Sequence, residues 1–296
     1  SLASVTPLPA SLVENPTGVF TDQLDPDDAS VGPTHGSTIP PSIRTKTLKP
    51  RKKKNAAMND PAFLRKRTAN LLKATENDAD KQMAGRMKVD RKTFHFLIDA
   101  WAFSGEMDAV DQAMALLTRM EELSSNGNFS IEPDVRSFTK VINAISRSGR
   151  IDAGAQAEAI FNKMEDLAQS GENRAARPNT FTYTAVIEAH AHSGAPDSAQ
   201  AASEWCDRMV NSPLESVVPT ARAFNAAISA YAKSGEVGAG RKAEKLFDRL
   251  EELYESGIKE AKPNAFVYNS LITAWANCVE DGSSDRAEMI LERMEN

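Results

Sequence analysis

Cysteine is almost missing from this 296-residue chain, and its two copies, Cys206 and Cys278, form no Cys-x-x-Cys pair. That excludes a disulfide framework and a zinc ribbon, and it suits a reducing compartment. No apolar run approaches the ~20 residues a bilayer span needs, so no membrane partner is expected. Histidine is scarce, with four copies. His190 and His192 lie two apart, ~200° around a helix, and cannot share a metal. His190 falls on an apolar stripe and reads as a packed core histidine. No carboxylate cluster or nucleophile constellation is apparent. The expectation is therefore no catalytic residue, no metal, no cofactor and no small-molecule substrate. The chain reads as no enzyme, with the full-length protein left open.

Lysine and arginine are missing from residues 1–43, which hold five acids and many Pro, Ser and Thr. Such a stretch buries too little apolar surface to offset its ordering entropy, so disorder is expected. The missing arginine also excludes an organelle transit peptide. Charge then reverses: "RTKTLKPRKKK", Arg44 to Lys54, holds seven basic residues. This fits a nuclear-localisation signal or a loose nucleic-acid clamp, and a solvated basic linker more commonly. Residues 1–56 thus read as an acidic, then basic, disordered linker. The initial serine, and a last residue, Asn296, inside a helical pattern, read as a fragment or an incomplete gene model.

What is present is repetition. "PNTFTYTAVIEAHAHSG" from Pro178 is echoed from Pro133, Pro219 and Pro263, and from Val89 with valine in place of proline. The aromatics Phe94, Phe138, Tyr183, Phe224 and Tyr268 are spaced by 44, 45, 41 and 44 residues. A fixed period in the range of roughly 20–50 residues marks a repeat array. Within the third unit Asn179 stands at an N-cap. Tyr183, Val186, Ile187 and His190 or Ala191 follow helical spacing, and Ser193-Gly194 supplies a left-handed stop. Gly105, Gly149 and Gly235 end the equivalent segments; in the fifth, Gly282 comes several residues late. A second helix follows, as in "DAGAQAEAIFNKMEDLAQ", with Ala157, Ile160, Phe161, Met164 and Leu167 on one face. Its closing apolar residue recurs as Met120, Met164, Met209, Leu250 and Met294.

Each unit is therefore a helical hairpin that must stack on its neighbours to bury its faces. The fold expected is all-α: an α-solenoid, right-handed, of stacked antiparallel helical hairpins. Residues 57–88 read as a degenerate half-repeat or N-terminal cap, with Leu64, Leu71 and Leu72 at helical spacing. Residues 89–296 hold five repeats at about 89–133, 134–178, 179–219, 220–263 and 264–296, the last incomplete.

The pattern Pro-[Asp/Asn]-x-x-x-[Tyr/Phe]-[Asn/Thr]-x-[Leu/Val]-Ile, then Ala-x-x-Ser-Gly, then Ala…[Leu/Phe]-x-x-Met, resembles the pentatricopeptide repeat over Val89 to Asn296. The tetratricopeptide start Trp-x-x-Leu-Gly-x-x-Tyr occurs in no repeat. These units are about 44 residues long where the family usually has 35, with the extra residues in the turn and loop. The resemblance implies single-stranded RNA as partner, one base per repeat, read by a few side chains. The base readers it implies are His95, Thr139, Thr184, Asn225 and Asn269, paired with the repeat-closing Asp134, Asn179, Thr220 and Asn264. The stacking residues it implies are Lys92, Arg136, Phe181, Arg222 and Phe266. By the family's pairing rules Thr139 with Asn179 favours adenine. Asn225 with Asn264 favours a pyrimidine, and Asn269 leans the same way. His95 with Asp134, and Thr184 with Thr220, match no rule. The closing residues are equally what any helix N-cap would be.

The resemblance further implies organelle RNA processing, stability or translation, in a mitochondrion or chloroplast, with nucleus and cytoplasm left open. A protein-interaction scaffold and the RNA-binding arm of a larger RNA-processing enzyme are the alternatives. Charge bears on the choice. The chain carries −6. Residues 1–88 hold 14 basic and 9 acidic residues, so the repeats carry −11. The first helices of the five hairpins nevertheless hold seven basic residues (Arg91, Lys92, Arg136, Lys140, Arg147, Arg222, Lys233) against Asp99 and Glu188. If those helices line the concave face, as in the family, the inside is mildly positive and the outside acidic.

Overall fold

A computed structural model describes residues 60–76, 89–278 and 280–295. The linker expected over 1–56 lies outside these residues, as do 77–88 of the proposed half-repeat. The described residues form eleven α-helices and three short 3-10 turns, with no strand among them. Helix α1, Pro61–Glu76, precedes five hairpins. Their first helices are α2 (Arg91–Ala102), α4 (Val135–Arg147), α6 (Thr180–Ser193), α8 (Ala221–Ser234) and α10 (Ala265–Ala276). Their second helices are α3 (Ala109–Ser125), α5 (Ala153–Ser170), α7 (Ser198–Val210), α9 (Ala239–Glu255) and α11 (Ser283–Glu295).

Each first helix starts at a side-chain cap. Asp90, Asp134, Asn179, Thr220 and Asn264 all accept a first-turn backbone N–H, which satisfies donors that a helix otherwise leaves open. Gly105, Gly149, Gly194 and Gly235 close these helices at φ of 63–71°, a conformation that a Cβ would strain. Between caps the apolar stripe is buried: Phe94, Phe138, Tyr183 and Phe224 are at most 2% exposed, and so are Met120, Met164, Met209 and Leu250 on the second helices. His190 is buried among them. Its imidazole stacks on Trp205, and burial lowers its pKa against the opposing pull of Glu158 and Glu204.

Successive first helices pack directly on one another, and each also meets the second helix of its own hairpin and of the one before. The result is a two-layered solenoid. In the layer of second helices, cations of one helix reach back to acids of the preceding one. Lys163 pairs with Glu121, Arg208 with Glu165, Arg286 with Glu244 and Arg293 with Glu251. Such exposed pairs add little stability singly, but they absorb part of the acidic charge of that layer. At one end α1 covers the first hairpin. Leu64 and Leu71 are fully buried, Leu72 half-buried, and the Trp101 indole donates to Thr68 Oγ1 at 2.9 Å.

The long loops are not the plain polar connections that sequence suggests. Three of them wind into 3-10 turns, Phe129–Ile131, Arg174–Ala176 and Lys259–Ala261. Each turn drops one apolar residue into the core two positions before the next proline: Ile131, Ala176 and Ala261, all 0% exposed. The third loop, in the 41-residue unit, has no 3-10 turn but buries Val217 in the same place. The added length is thus used as an anchor, and the hairpins stay in contact across it.

The seams between hairpins are fitted by size. Gly154 in α5 lies against His190 in α6: a Cβ there would sit 2.3 Å from the ring. Gly240 in α9 lies likewise against Trp275 in α10, with a Cβ position 2.8 Å from the indole. These are equivalent places in their hairpins, so a large ring in one helix is met by a missing side chain in its neighbour.

Candidate nucleic-acid interface

The N-caps place the stacking candidates. Lys92, Arg136, Phe181, Arg222 and Phe266 are each the second residue of a first helix, and all five are exposed. In three hairpins the cap oxygen accepts the N–H of that very residue, at 3.0 Å for Arg136, Phe181 and Phe266. The phenyl rings of Phe181 and Phe266 are 74% exposed, an arrangement that costs solvation and repeats at the same position of two hairpins. Arg222 stands between them, its guanidinium held edge-on by Glu188 through two bonds of 2.7 and 3.1 Å. That hydrogen bonding raises its pKa further and leaves the flat face of the guanidinium open.

One turn along, the base-reading candidates follow at i+3, and here the structure separates them. Thr139 and Thr184 are buried, and their hydroxyls donate to the carbonyls of Val135 and Thr180 at 2.7 and 2.8 Å. Both hydroxyls of these candidate readers are thus engaged within their own helix. The next helix also approaches closely: Thr139 Oγ1 lies 3.0 Å from Thr182 Oγ1. His95 is half-buried, with Nε2 2.7 Å from Ser137 Oγ. Asn225 is half-buried and Asn269 exposed. These last two share a groove of about 620 Å³ between α8 and α10, lined also by Lys233, Phe266, Ser270 and Asn277.

The closing residues Asp134, Asn179, Thr220 and Asn264 are all engaged as caps. Asn179 Oδ1 accepts from Phe181 and Thr182 N–H at 3.0 and 3.2 Å, and Asn264 Oδ1 from Phe266 and Val267 at the same distances. Capping consumes the carbonyl oxygen of each amide, and among the described residues no bond holds either NH2 group. Asp134 is half-buried. Burial pushes its carboxyl up, but bonds from His95 and the Ser137 N–H, with the charges of His95 and Arg91, outweigh this and hold it well below the usual carboxylate range.

Ser137, His95 and Asp134 together resemble a hydrolytic triad in composition only. Serine and aspartate both approach the same ring nitrogen, Nε2, at 2.7 and 3.4 Å, so the carboxylate cannot orient the imidazole from its far side. Ser137 is also fully buried. The cluster is a seam, not a reaction centre. No group of three or more His, Cys, Asp and Glu side chains suited to a metal occurs among the described residues.

Of the seven cations on the first helices, Arg91, Lys140 and Arg222 are neutralised by Asp134, Asp99 and Glu188. Arg147 lies over the Phe103 ring, 4.2 Å from its centre. Lys92, Arg136 and Lys233 form no ion pair among the described residues. The hydroxyls that touch the candidate readers, Ser137, Thr182 and Ser270, were missed in sequence. Serine or threonine three residues after a cap was the available sign of the first two, since that is where a capping box closes.

The PPR repeat family model matches residues 222–254, which span most of α8 and α9. No curated protein matches the sequence. Among solved structures the chain is similar to the crystal structure of the maize pentatricopeptide repeat protein PPR10, at 22% identity and a TM-score of 0.44. The likeness covers 79% of this chain and 28% of the maize chain.

Proposed function

We propose that this chain, whose residues 222–254 match the PPR repeat model, is an RNA-binding helical repeat protein that holds one single-stranded RNA along the exposed edge of its first helices. The observation that carries this reading is the repeated exposure of Phe181 and Phe266 beside polar side chains one turn away. Rings and guanidinium planes at the second helical position stack on bases without choosing among them. Polar side chains behind them choose. Thr139 with Asn179 then acts through the Asn179 NH2, and Asn225 with Asn264 takes a pyrimidine. Lys92, Arg136 and Lys233 contribute the contacts to phosphate. The setting the family suggests is RNA processing, stability or translation in a mitochondrion or chloroplast.

Binding is modest, because few repeats and three free cations contribute. With three phosphates neutralised at about −0.7 each, log K against log salt should slope by roughly −2. The test is titration of the purified chain with degenerate single-stranded RNA at increasing salt. Absence of RNA binding at low salt, together with retention of a protein partner, would establish the scaffold reading instead.

A further inference from the structure

Three base readers are touched by a hydroxyl from the next hairpin. Ser137 meets His95 at 2.7 Å, Thr182 meets Thr139 at 3.0 Å, and Ser270 Oγ donates to Asn225 Oδ1 at 2.9 Å. In the first two hairpins that hydroxyl stands third in the following helix, where it also closes a capping box. The equivalent residues in α8 and α10 are Ala223 and Val267, which have no hydroxyl to offer. Ser270 lies three residues beyond Val267, on the same helical stripe. The hydroxyl has in effect moved one turn along, into the wall of the groove that Asn225 and Asn269 line.

We propose that Ser270 is a positioning residue for base choice by the fourth hairpin. Its O–H holds the Asn225 carbonyl oxygen, so the amide presents its NH2 group to the groove. An unheld asparagine can turn over and offer either a donor or an acceptor; in the arrangement seen here, with its oxygen taken by the Ser270 O–H, it offers the donor. The pyrimidines differ at the ring nitrogen between their two substituted carbons. In cytosine N3 accepts a hydrogen bond, and in uracil it carries a proton. A fixed donor therefore selects cytosine over uracil, where the Asn225–Asn264 pairing by itself specifies only a pyrimidine. This inference rests on the RNA-reading function above.

The test uses 12-nucleotide oligoadenylate strands with two central pyrimidines, CC or UC, the first of which faces the fourth hairpin. The chain should bind the CC strand about fivefold or more tightly than UC, the scale of one unsatisfied hydrogen bond. In Ser270→Ala the ratio should fall to within about twofold, and Ser270→Thr, which keeps the hydroxyl, should restore it. A Ser270→Ala protein that discriminates as the parent does would overturn the positioning role while leaving RNA binding intact. Failure of the parent chain to bind either strand would remove the RNA-reading function itself, and this inference with it.

Discussion

Phe266→Ala should separate binding from folding. The Phe266 ring keeps 74% of its surface in solvent, so only about a quarter of it is buried in the folded chain. Full burial of a phenyl side chain is worth about 1.5–3 kcal/mol, so the buried part contributes roughly 0.4–0.8 kcal/mol. Alanine returns a few tenths of this through better helix propensity. The net change in folding stability is therefore close to zero. In an RNA complex the same ring offers a stacking platform, and its loss should cost about 1–3 kcal/mol, or roughly 5- to 150-fold in Kd. Phe224, one hairpin earlier, supplies the contrast: it is 1% exposed, and Phe224→Ala should destabilise the fold by about 3–5 kcal/mol. Thermal or denaturant unfolding of both variants, alongside titration with single-stranded RNA, checks the pair. A loss of stability in Phe266→Ala comparable with that of Phe224→Ala would mark the ring as core. Unchanged RNA affinity would show that no base stacks there. Phe181→Ala, at the equivalent place and equal exposure, should behave as Phe266→Ala does.

Two further outcomes follow from the seams. Gly240→Ala gains up to ~1 kcal/mol of helix propensity but forces a methyl to within 2.8 Å of the Trp275 ring and 2.9 Å of Cys278 Sγ. Overpacking of about 1–3 kcal/mol should win, lowering the melting temperature by a few degrees, and Trp275→Leu in the same chain should recover part of the loss; a more stable Gly240→Ala would refute the tight seam. For His190, burial depresses the folded-state pKa below its ordinary value of 6.5, so the unfolded chain binds the proton more readily. The stability that neutral His190 confers is present above pH 6.5 and is lost as pH falls from there through the folded pKa. Comparing melting temperatures at pH 7.5 and 5.5, His190→Leu should show a smaller acid-induced drop than the parent, and an equal drop in both would assign the effect to other groups.

The hairpins were legible in the sequence because what specifies them is local. Caps such as Asn179, stripes such as Tyr183–Val186–Ile187 and stops such as Gly194 act within one or two turns of helix, and the repeat period shows them several times over. Exposure of Phe181 was legible for the same reason, since it falls off the buried stripe. The 3-10 turns were not. Polar loop composition conceals that Ile131, Ala176 and Ala261 are anchors, because only the packed neighbours make a buried site for them.

By itself, then, the sequence determined an all-helical repeat and the positions of the candidate contacts on its first helices. Tertiary structure decided which of those positions remain chemically open. Thr139, Arg222 and Asn225 look alike in sequence as candidate contacts. Yet Thr139 is closed by Thr182, Arg222 is clamped by Glu188, and Asn225 accepts a hydrogen bond from Ser270. The partners lie 43, 34 and 45 residues away in the chain. Hydrogen bonds act over about 3 Å, and only the stacking of one hairpin on the next brings such distant groups within that reach.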